Sequence, residues 1–232
     1  MVCKNLIYYL EYKTGQVYSS ESPWQTHIAF VCVSQQDETE KCPDAWFRKL
    51  QPLWEQSLKA AANFVGANFK NLVFVQNATS GINAVLKSLD LSEGDSILIT
   101  NQTYGAVQKS VREVCKSTGA KLLVLNITYP TEDFRGSAKF FVDEIVQHFT
   151  EVLQKHPEVK LAVIDYIGSS NAVLYPVKEL VDLCHQYNVS ALIDGAHAPG
   201  QVPLNLEMLG ADFFVGKQIE ISFLPFPIPV AH

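Results

Sequence analysis

The chain has 232 residues, 47% of them hydrophobic and 18% charged, with a formal net charge of −6. That length allows one large domain or two small ones, and that balance excludes a disordered chain. With no basic stripe to offset the acidic total, nucleic acid and anionic membrane are excluded as natural partners. The first residues have no clear period. Leu6–Leu10 is apolar, but Glu11 and Lys13 follow at once, so the run is too short for a signal peptide or a membrane span. The five cysteines, Cys3, Cys32, Cys42, Cys115 and Cys184, form neither a CxxC pair nor a metal spacing. An odd count without a framework implies a reducing compartment, read here as cytoplasmic. The sequons at Asn77, Asn101, Asn126 and Asn188 are read as chance.

Pro43–Val65 is expected to be helical, because Trp46, Leu50, Trp54, Leu58, Ala61 and Val65 recur at helical spacing. Pro43 suits the first turn, and Pro52 is expected to kink or split the helix. From Leu72 onward, short apolar runs alternate with amphipathic stretches. The runs are Leu72–Val75, Ser96–Thr100, Lys121–Leu125, Lys160–Asp165, Ser190–Asp194 and Asp212–Val215. The stretches between them are Ser80–Leu89, Ala106–Ser117, Ala138–Lys155 and Val177–Tyr187. Strands apolar on both faces, each followed by a helix, imply an α/β three-layer fold with a mainly parallel sheet. Gly94, Gly119 and Gly210 each precede a strand, where a left-handed turn is wanted. Ile219–His232 is apolar and broken by three prolines, which suits neither helix nor central strand. The chain therefore divides into a divergent segment 1–42, a large domain 43–216 and an apolar tail 217–232.

Ligands of such sheets gather at the carboxyl ends of the strands, and four sequence features fall there. Asn77-Ala78-Thr79-Ser80-Gly81 opens a helix, and its N–H groups and hydroxyls suit a phosphate; alone, it is equally an ordinary helix cap. Tyr104-Gly105 follows the strand ending at Thr100, where the ring could lie against a ligand or simply pack. Ser169-Ser170-Asn171 follows the strand ending at Asp165, as a ligand loop or a plain polar one. Asp194-Gly195-Ala196-His197 ends a strand on a carboxylate, with small residues that keep the turn open to a flat ring; alone, Asp194 is equally a turn cap and His197 a structural histidine.

Order and spacing decide among these alternatives. The stretches NATSGINAV, TYGAV, DYIGSSNAVLYPVKELVDLCH and, above all, LIDGAHAPGQVPLNLEMLGADFFVG resemble the class V aminotransferase family of fold-type I pyridoxal-phosphate (PLP) enzymes. The resemblance is nearest to the isopenicillin N epimerase-like and cysteine desulfurase-like members and covers about three quarters of the chain. It implies PLP as cofactor, an amino acid or sulfur-containing derivative as substrate, a lyase, epimerase or transaminase reaction, and a homodimer. It also implies roles: Thr79 and Ser80 hold the phosphate, Tyr104 stacks on the ring, Asp194 pairs with the ring nitrogen, and His197 and Ser169 face the phenolic oxygen.

The resemblance stops at Gly216. The family follows this strand with His-Lys, the lysine forming the Schiff base; in register those positions are Ile219 and Glu220, and Lys217 stands three residues early. No catalytic lysine, and hence no covalent attachment, is expected. The family's next strand, which would lie between Leu72–Val75 and the strand ending near Gly216, is not recognisable, so Leu72–Val75 is expected to lack that neighbour. Two readings follow: a truncated form of a PLP enzyme, inactive by itself, or a non-catalytic PLP-binding or interaction protein or alternative gene product. An unpaired strand edge and the apolar Phe223–Val230 imply poor stability and association or aggregation.

Overall fold

The computed structural model describes residues 5–9, 43–128 and 138–217. Seven strands form one sheet: β1 (Asn5–Tyr9), β2 (Leu72–Val75), β3 (Ser96–Thr100), β4 (Lys121–Leu125), β5 (Val159–Asp165), β6 (Ser190–Gly195) and β7 (Phe213–Lys217). The spatial order is β2-β1-β7-β6-β5-β3-β4, and every neighbouring pair is parallel. The helices are α1 (Pro43–Val65), α2 (Ala78–Ser88), α3 (Gly105–Thr118), α4 (Ala138–Lys155), α5 (Val177–Gln186) and the short α6 (Leu206–Leu209).

The three-layer expectation holds, and the packing explains it. Along β5, Leu161 and Val163 join a cluster with Ile82, Val85, Leu86, Val107 and Val111 of α2 and α3. The alternate residues Ala162 and Ile164 face a second cluster, with Leu58, Ala61 and Val65 of α1, Ile145, Phe149 and Leu153 of α4, and Leu180 and Val181 of α5. Strand side chains alternate between faces, so a strand apolar on both sides requires a helical layer on each. The left-handed turns fall where glycine marks them, with φ of 102° at Gly94, 80° at Gly119 and 75° at Gly210.

Two expectations are corrected. Pro52 does not split its helix: α1 runs unbroken from Pro43 to Val65, its inner face held by Leu58, Ala61, Ala62 and Val65. Burial of that face outweighs the one lost hydrogen bond. More consequentially, the place between β2 and β7 is filled. β1 lies there, pairing Leu6 with Leu72 on one side and with Phe214 on the other. The segment that shows no period thus supplies a strand to the middle of the sheet, and Leu72–Val75 is not without a partner. Strand 5–9 is central to this sheet, so its pairing comes from backbone groups on both sides rather than from an alternating side-chain pattern. Lys217 closes β7 opposite Tyr9; Ile219, Glu220 and Phe223–Val230 lie outside the described residues.

Candidate functional site

Because all seven strands are parallel, their carboxyl ends share one edge. At that edge α2 begins. Its cap Asn77 accepts a hydrogen bond from the Ser80 N–H at 2.7 Å. Thr79 and Ser80 lie in the first turn, half-buried. Asn83 donates to the Thr79 carbonyl at 2.8 Å and to the Ser110 hydroxyl of α3 at 2.9 Å, fixing α2 beside α3. The first turn of a helix presents free N–H groups and partial positive charge.

The turn after β3 is built by two buried threonines. The Thr100 N–H donates to the Thr103 hydroxyl at 3.1 Å, and the Gln102 N–H donates to the Thr100 hydroxyl at 3.2 Å. Tyr104 then precedes α3, about half of it exposed, at 49%. The loop after β5 meets this turn: Ser170 and Asn171 each donate to the Gln102 side chain at 3.4 Å. Asn101, Gln102, Thr103, Tyr104, Gly105, Ser169 and Ser170 line a cavity of about 320 Å³. Tyr104 and Ser169 therefore line one cavity, which Asp194 and His197 do not line.

Asp194 ends β6, 6% exposed, and its carboxylate accepts the Ala196 N–H at 3.1 Å. Burial pushes its pKa up; the Ala196 N–H and the nearby His197 pull it down. It projects from the same sheet face as Leu192, the face covered by α2 and α3. His197 is half-buried in the turn that follows. Thr79 and Ser80 share this face and edge with Asp194 but do not line the cavity holding Tyr104 and Ser169.

The residue that joins these groups escapes sequence reasoning. Asp165 ends β5 in direct register with Asp194 of β6. It is 4% exposed, and its Oδ2 has no hydrogen-bond partner. Burial, then the Asp194 charge, raise its pKa to about 7, against the Thr103 hydroxyl and the Tyr104 N–H. Its contacts thus run from the Tyr104 turn to Asp194. The available signal was the near-repeat Ala162-Val163-Ile164-Asp165 and Ala191-Leu192-Ile193-Asp194, two apolar strands ending alike.

Gly195 has a packing role in addition to any at the turn. A Cβ there would lie 2.1 Å from Cζ of Phe214, a residue of the α1–α4–α5 layer, on the sheet face away from Asp194. Among the described residues, no group of three or more His, Cys, Asp or Glu could hold a metal ion. No described helix is long and apolar enough to cross a membrane.

The sequence model of the aminotransferase class-V family matches residues 48–216, from α1 through β7. The chain belongs to the class V aminotransferases. Pyridoxal phosphate is the cofactor of this family. Among curated class V relatives, hercynylcysteine sulfoxide lyase of Schizosaccharomyces pombe is 29% identical over 76% of this chain and 43% of its own length. L-cysteine desulfhydrase of Arabidopsis thaliana is 30% identical over 65% of this chain and 34% of its own. The chain thus spans less than half the length of either. A lysine-to-alanine mutant of C-DES, with glycine covalently linked to its PLP cofactor, superposes with a TM-score of 0.71 at 19% identity. The superposition covers 84% of this class V chain and 49% of that one.

Proposed function

We propose that the carboxyl edge of this sheet is a PLP site, in a protein of the class V branch that acts on cysteine or a related sulfur-containing amino acid. The observation that carries this reading is Asp194, a buried carboxylate at a strand end, on the face shared with the first turns of α2 and α3. A buried carboxylate is costly unless a cation meets it, and a protonated pyridine nitrogen supplies that cation. Thr79 offers the phosphate its N–H, Thr79 and Ser80 their hydroxyls, and α2 its positive end. Tyr104 offers an exposed ring face beside the cavity. His197 and Ser169 would meet the cofactor's phenolic oxygen. When bound, PLP supplies an electron sink for carbon at the amino-acid α position, and the Asp194 charge strengthens it by keeping the ring nitrogen protonated.

The second reading, a non-catalytic PLP binder, is favoured by one feature of the sequence. Glu220 stands in the register of the family lysine and Ile219 in that of the preceding histidine, and a carboxylate can neither attach the cofactor nor move the substrate proton as an amine does. We combine the two: these 232 residues bind PLP non-covalently and do not turn over amino acids unaided. Buried free thiols at Cys115 and Cys184 suit a reducing, cytoplasmic setting. The test is titration of the chain with PLP, followed by borohydride reduction, peptide mapping and a sulfide assay with L-cysteine. The expected result is saturable binding that dialysis reverses, no lysine adduct and no sulfide. A stoichiometric adduct at Lys217 together with sulfide release would overturn it, and absence of binding would remove the cofactor site altogether.

A further inference from the structure

Two carboxyls lie side by side at the heart of this edge, and only one is used by the reading above. Asp165 and Asp194 are in register on neighbouring parallel strands, so both project from the same face. Both are more than nine-tenths buried. A pair of neighbouring carboxyls out of water does not ionise twice at neutral pH. One proton therefore has to reside on the pair, and the hydrogen bonds indicate where. Asp194 has a donor, the Ala196 N–H at 3.1 Å, and the nearby His197 pulls its pKa down. On Asp165, the Thr103 hydroxyl and the Tyr104 N–H face the carboxyl, yet Oδ2 has no partner at all. An ionised Asp165 would leave that oxygen as a buried acceptor without a donor. A neutral Asp165 carries no charge on that oxygen, which removes the cost of an unmet buried anion.

We propose that Asp165 is a positioning residue of the cofactor pocket: its neutral carboxylic acid fixes the Tyr104 turn through Thr103 and Tyr104 and leaves the negative charge on Asp194. The Thr103 hydroxyl is suited to this. Its oxygen accepts the Thr100 N–H at 3.1 Å, and with the Thr100 hydroxyl, 3.3 Å away, as donor to it as well, its own hydrogen points at Asp165. One side chain thereby sets both the ring platform and the charge of the nitrogen partner. The direction of the Asp165 shift agrees, since the Asp194 charge is among the causes that raise it.

This rests on the PLP reading for its consequence, but two of its tests need no cofactor. In the unliganded chain, carbon-13 carboxyl shifts at pH 6 are expected to show Asp165 neutral and Asp194 ionised; the reverse assignment overturns the proposal. Asp165→Asn imitates the neutral acid, with one acceptor oxygen and one donor group. Its Tyr104 amide exchange is expected to stay within about threefold of the unmodified chain, whereas Asp165→Ala speeds it by at least about tenfold, the loss of roughly one good hydrogen bond. If Asp165→Ala does not fold, Asp165→Ser serves in its place, and the carboxyl titration stands independently. With PLP, Asp165→Asn is expected to bind within about threefold of the unmodified chain, whereas Asp194→Asn weakens binding by about tenfold or more, as for a lost charged hydrogen bond. Equal weakening by both asparagine variants would mean that Asp165 acts as an anion, and the proposal would fall. If the unmodified chain binds no PLP, the cofactor reading fails while the carboxyl and exchange results still decide the role of Asp165.

Discussion

Gly195→Ala tests the packing that holds Asp194 in place. The added methyl would sit 2.1 Å from Cζ of Phe214, 2.6 Å from Cε2 and 2.7 Å from Cε1. These atoms are the far end of a rigid ring that is 1% exposed and edge-on to Tyr166, with centroids 6.4 Å apart. The ring cannot swing aside as a lysine would, so β6 or β7 must shift; overpacking of this kind costs about 1–3 kcal/mol. With a urea slope of about 2 kcal/mol/M, the unfolding midpoint is expected to fall by roughly 0.5–1.5 M. Phe214→Leu removes the end of the ring and is itself destabilising, since it leaves a void. The decisive measurement is the double variant. Gly195→Ala is expected to cost at least about 0.5–1 kcal/mol less in the Phe214→Leu background than in the parent, because the two sites share one volume. Strict additivity across the cycle would refute the argument that Phe214 is why position 195 is glycine.

Three further outcomes can be checked on the same chain. Asp165 is raised from 3.8 to about 7, so the folded state binds more protons than the unfolded one across that window. Stability is therefore lost as pH rises from about 4 to about 7, by up to about 4 kcal/mol at ~1.36 kcal/mol per pH unit. Urea midpoints at pH 5 and pH 7.5 should show the decline, and Asp165→Asn should flatten it; a midpoint that rises over this range would contradict the assignment. Phe149→Ala empties a fully buried position on α4 and is expected to cost about 3–5 kcal/mol, with a loss below 1 kcal/mol counting against the core assigned here. Asn77→Ala removes the 2.7 Å cap on the Ser80 N–H and is expected to cost about 0.5–2 kcal/mol, with Asn77→Gly costing only a few tenths; circular dichroism during urea melts would report both.

The six strands from Leu72 onward were legible because their burial is a local property: five successive apolar or small residues, as in Ser96–Thr100, imply cover on both faces. The positions of the candidate residues were legible for a related reason, since a polar residue just past such a run is at the carboxyl edge wherever the sheet is parallel. Tyr104 and Ser169 meet on that account. Asp165 was not legible, because an aspartate at a strand end is ordinarily a turn residue; only register with Asp194 makes it unusual, and register is a tertiary fact. The packing role of Gly195 was hidden for the same reason: its neighbour Phe214 is distant in sequence. β1 was hidden because nothing within Asn5–Tyr9 names its partners.

The position of β1 carries a consequence for how the sheet assembles. Among the described strands β1 is made first, yet Leu6 must find Phe214, in the last of them. β2, made soon after, reaches the sheet only through β1. Nucleation cannot begin at this end. The segment from β3 to β6 can collapse on its own neighbours, while both early strands wait for β7 before their backbone groups are satisfied. Closure of such a distant pairing is slow because chain entropy is lost before contacts compensate it. For that interval the nascent chain exposes two apolar strands with free edges, the species most prone to pair with another copy. A vulnerable moment thus lies in the folding order of the described strands.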